Sequence, residues 1–128
     1  MRPYEMSDRP GTVDCSRFGR EVAHLSGYTI PRNAYAQAEW YQQHGQWITN
    51  INDAQPGDHV FWLRGHEAYH TGVIVNNILK TNGDRIIRAV QAQTFHHQPG
   101  SIQMQTLLSN GELRGFHQPF VGIGRYRH

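Results

Sequence analysis

Gln55-Pro56-Gly57-Asp58-His59-Val60-Phe61-Trp62-Leu63 divides the chain into two unlike halves. Pro56-Gly57-Asp58, with Ala54 and Gln55 before it, has the composition of a tight turn. Residues 59–63 then form a short apolar run of strand length. Upstream of the turn the apolar residues recur with helical spacing; downstream they recur with the shorter period of strands. Helices first and an antiparallel sheet afterwards make an α+β domain, with the N-terminal helices packed on the sheet.

Upstream, residues 1–12 read as an irregular arm. A helix is expected over residues 16–25, with Phe18, Val22 and Leu25 on one face and Gly27 just past its end. A second helix is expected over residues 33–44, where Pro31 precedes it, Asn33 is the N-cap and Ala, Gln and Glu favour the helix. Trp40, Trp47, Phe61 and Trp62 are expected in the core. Downstream, residues 71–78 are rich in β-branched side chains. Asn82-Gly83 is a hairpin signal, and residues 85–93 return as the partner strand. In residues 101–107 the alternation turns Ile102, Met104 and Thr106 inward and leaves Gln103 and Gln105 outside. A last strand is expected over residues 119–126, with Arg125, Arg127 and His128 as a solvated tail.

The 128 residues suit one domain, residues 1–128, around one core. A hydrophobic share of 38% against 17% charged residues excludes a disordered chain. The formal charge of +2 is mild, and no Lys/Arg run carries interleaved aromatics, so nucleic acid is not an expected partner. The apolar stretches are too short to cross a membrane. Residues 1–8 lack an apolar segment, so a Sec-type signal is not expected and the protein is made in the cytoplasm. The single Cys excludes an internal disulfide framework and is either a buried hydrophobe or a reactive thiol.

The position of Cys15 favours reactivity. It lies in Asp14-Cys15-Ser16, directly before the first expected helix. The partial positive charge of a helix N-terminus lowers a thiol pKa and favours the nucleophilic thiolate. A nucleophilic thiol needs a base, and the base needs an orienting group. Among nine histidines the sharpest candidate is His70, in His70-Thr71-Gly72-Val73-Ile74-Val75, where a loop enters a strand. His66, His96, His97 and His117 read as loop or surface residues.

These segments resemble, in order, those of the NlpC/P60 family of papain-like cell-wall endopeptidases. Pro3-Tyr4, Asp14-Cys15-Ser16-Arg17-Phe18, Ile30-Pro31-Arg32, Gln55-Pro56-Gly57-Asp58-His59-Val60-Phe61 and His70-Thr71-Gly72-Val73-Ile74-Val75 carry the likeness across residues 3–93. The resemblance implies a papain-like fold, Cys15 as nucleophile and His70 as base. It implies that Tyr4, with Asp14, Ser16 and Arg17 about the thiol, lines the substrate cleft. The family's third polar residue lies on the strand paired with the base strand. Pairing about Asn82-Gly83 sets Gln91 near Gly72, on the face of His70, and Val90-Gln91-Ala92 resembles the family's Ile-His-Ala. Gln93, or another His, is the alternative. Arg17 stands where the family has a small Gly, and Met6-Ser7-Asp8-Arg9 replaces a Trp-Gly-Gly-like segment.

The implied activity is peptidoglycan hydrolysis within the stem peptide, at the bond between D-glutamate and diaminopimelate. It implies no cofactor, no metal, and a monomer. The expected lack of a signal suggests an effector delivered by a type VI secretion system into the periplasm of target bacteria, with an immunity protein as its inhibitor, or else a lytic module derived from a phage or a larger protein. Two other readings compete. His66-Glu67-Ala68-Tyr69-His70 matches the H-E-x-x-H zinc-peptidase pattern, which needs a helix to bring both histidines to one face. A catalytically inactive wall-binding module would need neither Cys15 nor His70.

Overall fold

A computed structural model describes residues 15–64, 68–93, 101–113 and 118–126. The expected N-terminal arm, with Tyr4 and Asp14, lies outside the described residues. So do His66, Glu67, His96, His97, His117, Arg127 and His128.

Two helices precede a sheet, as the split at the Pro56-Gly57 turn requires. The helix α1 is Cys15–Leu25 and α2 is Ala34–His44. Asn33 caps α2, its Oδ1 accepting from the Ala36 backbone N–H at 2.7 Å. Such a cap contributes about 1 kcal/mol. Six strands follow: β1 (Gln46–Ile48), β2 (His59–Arg64), β3 (Ala68–Leu79), β4 (Arg85–Gln93), β5 (Ser101–Thr106) and β6 (Phe120–Arg125). They form one sheet in the order β1-β6-β2-β3-β4-β5. Every pairing is antiparallel. Strand β1 and the 3-10 turn at Ile51–Asp53 carry no sequence pattern long enough to announce them.

Side chains alternate along β2. His59 and Phe61 turn toward the helices, where Phe61 joins Ala23, Ile30, Ala38 and Tyr41 in one apolar cluster. Val60 and Trp62 turn to the other face and join Ile74, Ile87, Ala89, Leu107, Leu113 and Ile123 in a second cluster. Helix α2 can approach the sheet because β6 offers glycines there. A Cβ on Gly124 would stand 2.2 Å from the Tyr41 ring, and one on Gly122 would stand 2.2 Å from Trp47.

Three sequence expectations are corrected. Leu25 is 86% exposed, so it does not belong to the inward face of α1. Ala23 is buried in its place, and Gly19 packs by the His59 ring. Small residues, not the large apolar ones, set how closely this helix lies on the sheet. In β5 the alternation is reversed: Met104 is 58% exposed, while Gln103 and Gln105 are half-buried. The register explains this, because Gln103 lies opposite Gln91 and Gln105 opposite Ala89, on the interior face. Arg125 is no tail residue. It closes β6 and pairs with buried Asp58, Nε to Oδ1 at 2.8 Å and Nη2 to Oδ2 at 2.7 Å. This ties the turn before β2 to the end of the last strand, and the ion pair holds the Arg125 pKa above its usual value.

Candidate active site

The hairpin about Asn82-Gly83 builds the site. It pairs β3 with β4, Val73 opposite Val90. The next residues along are Gly72 and Gln91, so His70 and Gln91 are diagonal neighbours on one face. Both are buried, His70 at 3% and Gln91 at 0% exposure. Their side chains are hydrogen-bonded, His70 Nε2 to Gln91 Oε1. A carbonyl oxygen only accepts, so Nε2 carries the proton and Nδ1 carries the lone pair. An amide thus fixes the tautomer in which Nδ1 can serve as the base.

A third side chain completes the arrangement, and sequence reasoning gave it only a place in the core. Trp62 lies opposite His70 in the β2–β3 register. The two rings stack with centroids 5.4 Å apart and planes 28° apart. The indole is fully buried, and its Nε1 donates to the Gly111 carbonyl at 2.7 Å. Only the register of β2 against β3 reveals this, since no local signal fixes which residues of the two strands stand opposite each other.

Cys15 is the first residue of α1, as its position by Asp14 and Ser16 suggests. Helix α1 packs on β3 and β4 from the Phe61 face of the sheet, whereas His70 and Gln91 share the Trp62 face. The side chains of Cys15, Ser16 and Arg17 lie outside the described ones, as does that of Gln93. Ala68, Tyr69 and His70 are extended within β3. That conformation sends successive side chains to opposite faces, so the H-E-x-x-H pattern does not form the helix that zinc chelation requires. Among the described residues no three of His, Cys, Asp and Glu come together as ligands for a metal ion. No helix among them is long and apolar enough to cross a membrane.

A second buried histidine lies one strand away. His59 is 0% exposed, and neither ring nitrogen has a hydrogen-bond partner. Its ring packs against Tyr41 at 5.4 Å. Burial alone lowers its pKa to about 4, so it stays neutral. An open cleft of about 550 Å³ lies at the far end of β3, bordered by Asn77, Arg85 and Arg125. Its polar groups bond one another, Asn77 to Ala54 O at 2.9 Å and Arg85 to Asn77 at 3.1 Å. It is remote from the His70–Gln91 pair and has no nucleophile among its lining residues.

Comparison with known proteins gives two findings. The NlpC/P60 family pattern matches residues 1–119. A protein named probable endopeptidase p60, from Listeria seeligeri, is 29% identical over 116 residues, which is 91% of this chain. The chain spans 18% of that relative's length.

Proposed function

Because this chain belongs to the NlpC/P60 family, we infer that it is a papain-like cysteine endopeptidase, one catalytic domain that cuts the stem peptide of bacterial peptidoglycan. Cys15 is the nucleophile, His70 the base and Gln91 the residue that holds the imidazole. The observation that carries this reading is the buried His70–Gln91 hydrogen bond, which selects the tautomer a base needs. The position of Cys15 at the start of α1, where a helix N-terminus favours thiolate, supports the role of the thiol.

The chemistry follows from these roles. Proton transfer from the thiol to His70 Nδ1 gives a thiolate, which the N-terminus of α1 stabilises. The sulfur bonds to the amide carbonyl carbon. Unpaired backbone N–H groups of the first turn of α1, that of Cys15 among them, stabilise the oxyanion. His70 gives its proton to the amine, the C–N bond breaks, and a thioester remains. Water attacks that thioester, yields a proton to His70 and releases the acid, restoring the thiol. Gln91 accepts from the imidazolium throughout, but as a neutral amide it stabilises that cation less than a carboxylate does.

The scissile bond of this proposal is that between D-glutamate and diaminopimelate, with Tyr4, Asp14, Ser16 and Arg17 lining the cleft. Digestion of purified sacculi, followed by mass analysis of the soluble fragments, tests it. Fragments ending in D-glutamate are expected from the wild type and none from Cys15→Ser. Activity that survives Cys15→Ser, or fragments from cut glycan, contradicts the proposal. The proposal extends to a monomeric effector delivered by a type VI secretion system and held in check by an immunity protein. Lysis of a Gram-negative host only when the chain carries an added periplasmic signal is then expected. Lysis from cytoplasmic expression alone contradicts it.

A further inference from the structure

The geometry points to Trp62 as a positioning residue that fixes the plane of the His70 imidazole and covers its hydrogen bond to Gln91. Three independent contacts define where the indole stands. Its ring stacks on His70 at 28°. Its six-membered ring lies over Gly72, where an added Cβ would meet Cη2 at 3.2 Å and Cζ3 at 3.3 Å. Its Nε1 is tied to Gly111 O at 2.7 Å, which stops the indole from sliding along the sheet. Gly72 is the residue beside Gln91, so a plate over His70 and Gly72 lies over the His70–Gln91 bond.

The physical consequence is twofold. A stacked neighbour restricts rotation of the imidazole about χ2, a broad and soft torsion when unrestrained. A buried hydrogen bond shielded from water keeps its strength, because no solvent competes for either partner. On this reading Trp62 acts through His70. The segment that holds it is itself fixed, since Leu113 is buried and Leu107 bridges to it.

The role of Trp62 in catalysis rests on the assignment of His70 as base; the covering of the hydrogen bond does not. Both are read on the full chain with its ring nitrogens labelled by ¹⁵N-histidine. In the wild type the His70 Nε2 proton is expected to exchange slowly with water, and Nε2 is expected to be the sole protonated nitrogen in the neutral ring. Trp62→Phe keeps an aromatic ring and loses the tie to Gly111. It is expected to speed that exchange about tenfold and to populate the other tautomer. A wild-type Nε2 proton that exchanges as fast as that of an exposed imidazole overturns the inference without any variant. So does a folded Trp62→Phe with unchanged exchange and tautomer. The parallel readout is alkylation of Cys15, the sole cysteine, by iodoacetamide. If His70→Ala leaves its rate–pH profile unaltered, the base assignment fails, while the proton exchange still decides whether Trp62 covers the bond.

Discussion

His59 and His70 are both buried, on adjacent strands, and they could hardly be more different in what they can do. His70 is held on one side by an amide acceptor and on its face by an indole. His59 has apolar and aromatic neighbours and no hydrogen bond at either nitrogen. Burial is common to both, so burial does not mark a catalytic histidine. What distinguishes His70 is that one nitrogen is assigned a proton and the other is thereby given a lone pair. His59 is a neutral filler between α1, α2 and the sheet, kept uncharged because its surroundings cannot solvate an imidazolium.

The sharpest way to break this contrast is to remove each ring in turn. His70→Ala is expected to lower kcat/KM on wall peptides by about 10³-fold or more, as loss of a general base does. His59→Leu, similar in bulk and apolar, is expected to leave kcat/KM within about threefold of the wild type once folded. A reversed ranking would assign the chemistry to the wrong ring.

The next effect is on stability and belongs to His59 alone. Burial lowers its folded pKa to about 4, below the ordinary imidazole value of 6.5. Between those two values the unfolded chain binds a proton that the folded chain refuses. The stability from this group is therefore full above about pH 6.5 and is lost as the pH falls toward 4. The loss is of order 3 kcal/mol at the acid end. Denaturant melts from pH 7 to pH 4 should show this slope in the wild type and a flatter one in His59→Leu.

Asp58 lies beside His59 in sequence but acts on the opposite principle, since its charge is buried with a partner. Asp58→Asn removes the negative charge and one of the two oxygens that accept from Arg125, and weakens the tie between the Pro56-Gly57 turn and β6. A loss of about 2 kcal/mol is expected, read as a lower melting temperature with kcat/KM unchanged in the protein that remains folded.

Gln91 gives the smallest expected effect. Gln91→Ala is expected to lower kcat about tenfold, because a neutral acceptor orients the ring more than it stabilises its charge. Gln91→His, which restores a ring acceptor of the kind the family resemblance suggests, is expected to recover most of that loss. No change in either variant would mean that the tautomer is set by other contacts.

Much of this architecture is legible in the sequence. The Pro56-Gly57 turn, the Asn33 cap and the Asn82-Gly83 hairpin are local signals, and each stands where its composition puts it. From the hairpin alone, the pairing that brings Gln91 beside Gly72 follows by counting. What was hidden depends on contacts between distant segments. Leu25 looks like an inward residue until Gly19 and Ala23 show how close α1 lies to the sheet. Met104 and its glutamine neighbours exchange faces because the register with β4, not hydrophobicity, decides which side is interior. Arg125 looks like a terminal charge until Asp58 is found buried beneath it. Trp62 is legible as core but not as the neighbour of His70, since nothing local specifies how β2 pairs with β3.

The central claim joins two elements: the thiol at the start of α1 and the oriented imidazole on β3. The rate of Cys15 alkylation by iodoacetamide between pH 4 and pH 9 tests that union most directly. The account predicts that the wild-type thiol stays reactive well below the ordinary thiol pKa of about 8.5. It predicts that His70→Ala shifts the profile up toward that value, and that His59→Leu leaves it in place. A wild-type profile that titrates as a free cysteine, or one that responds to His59 and not to His70, would contradict it.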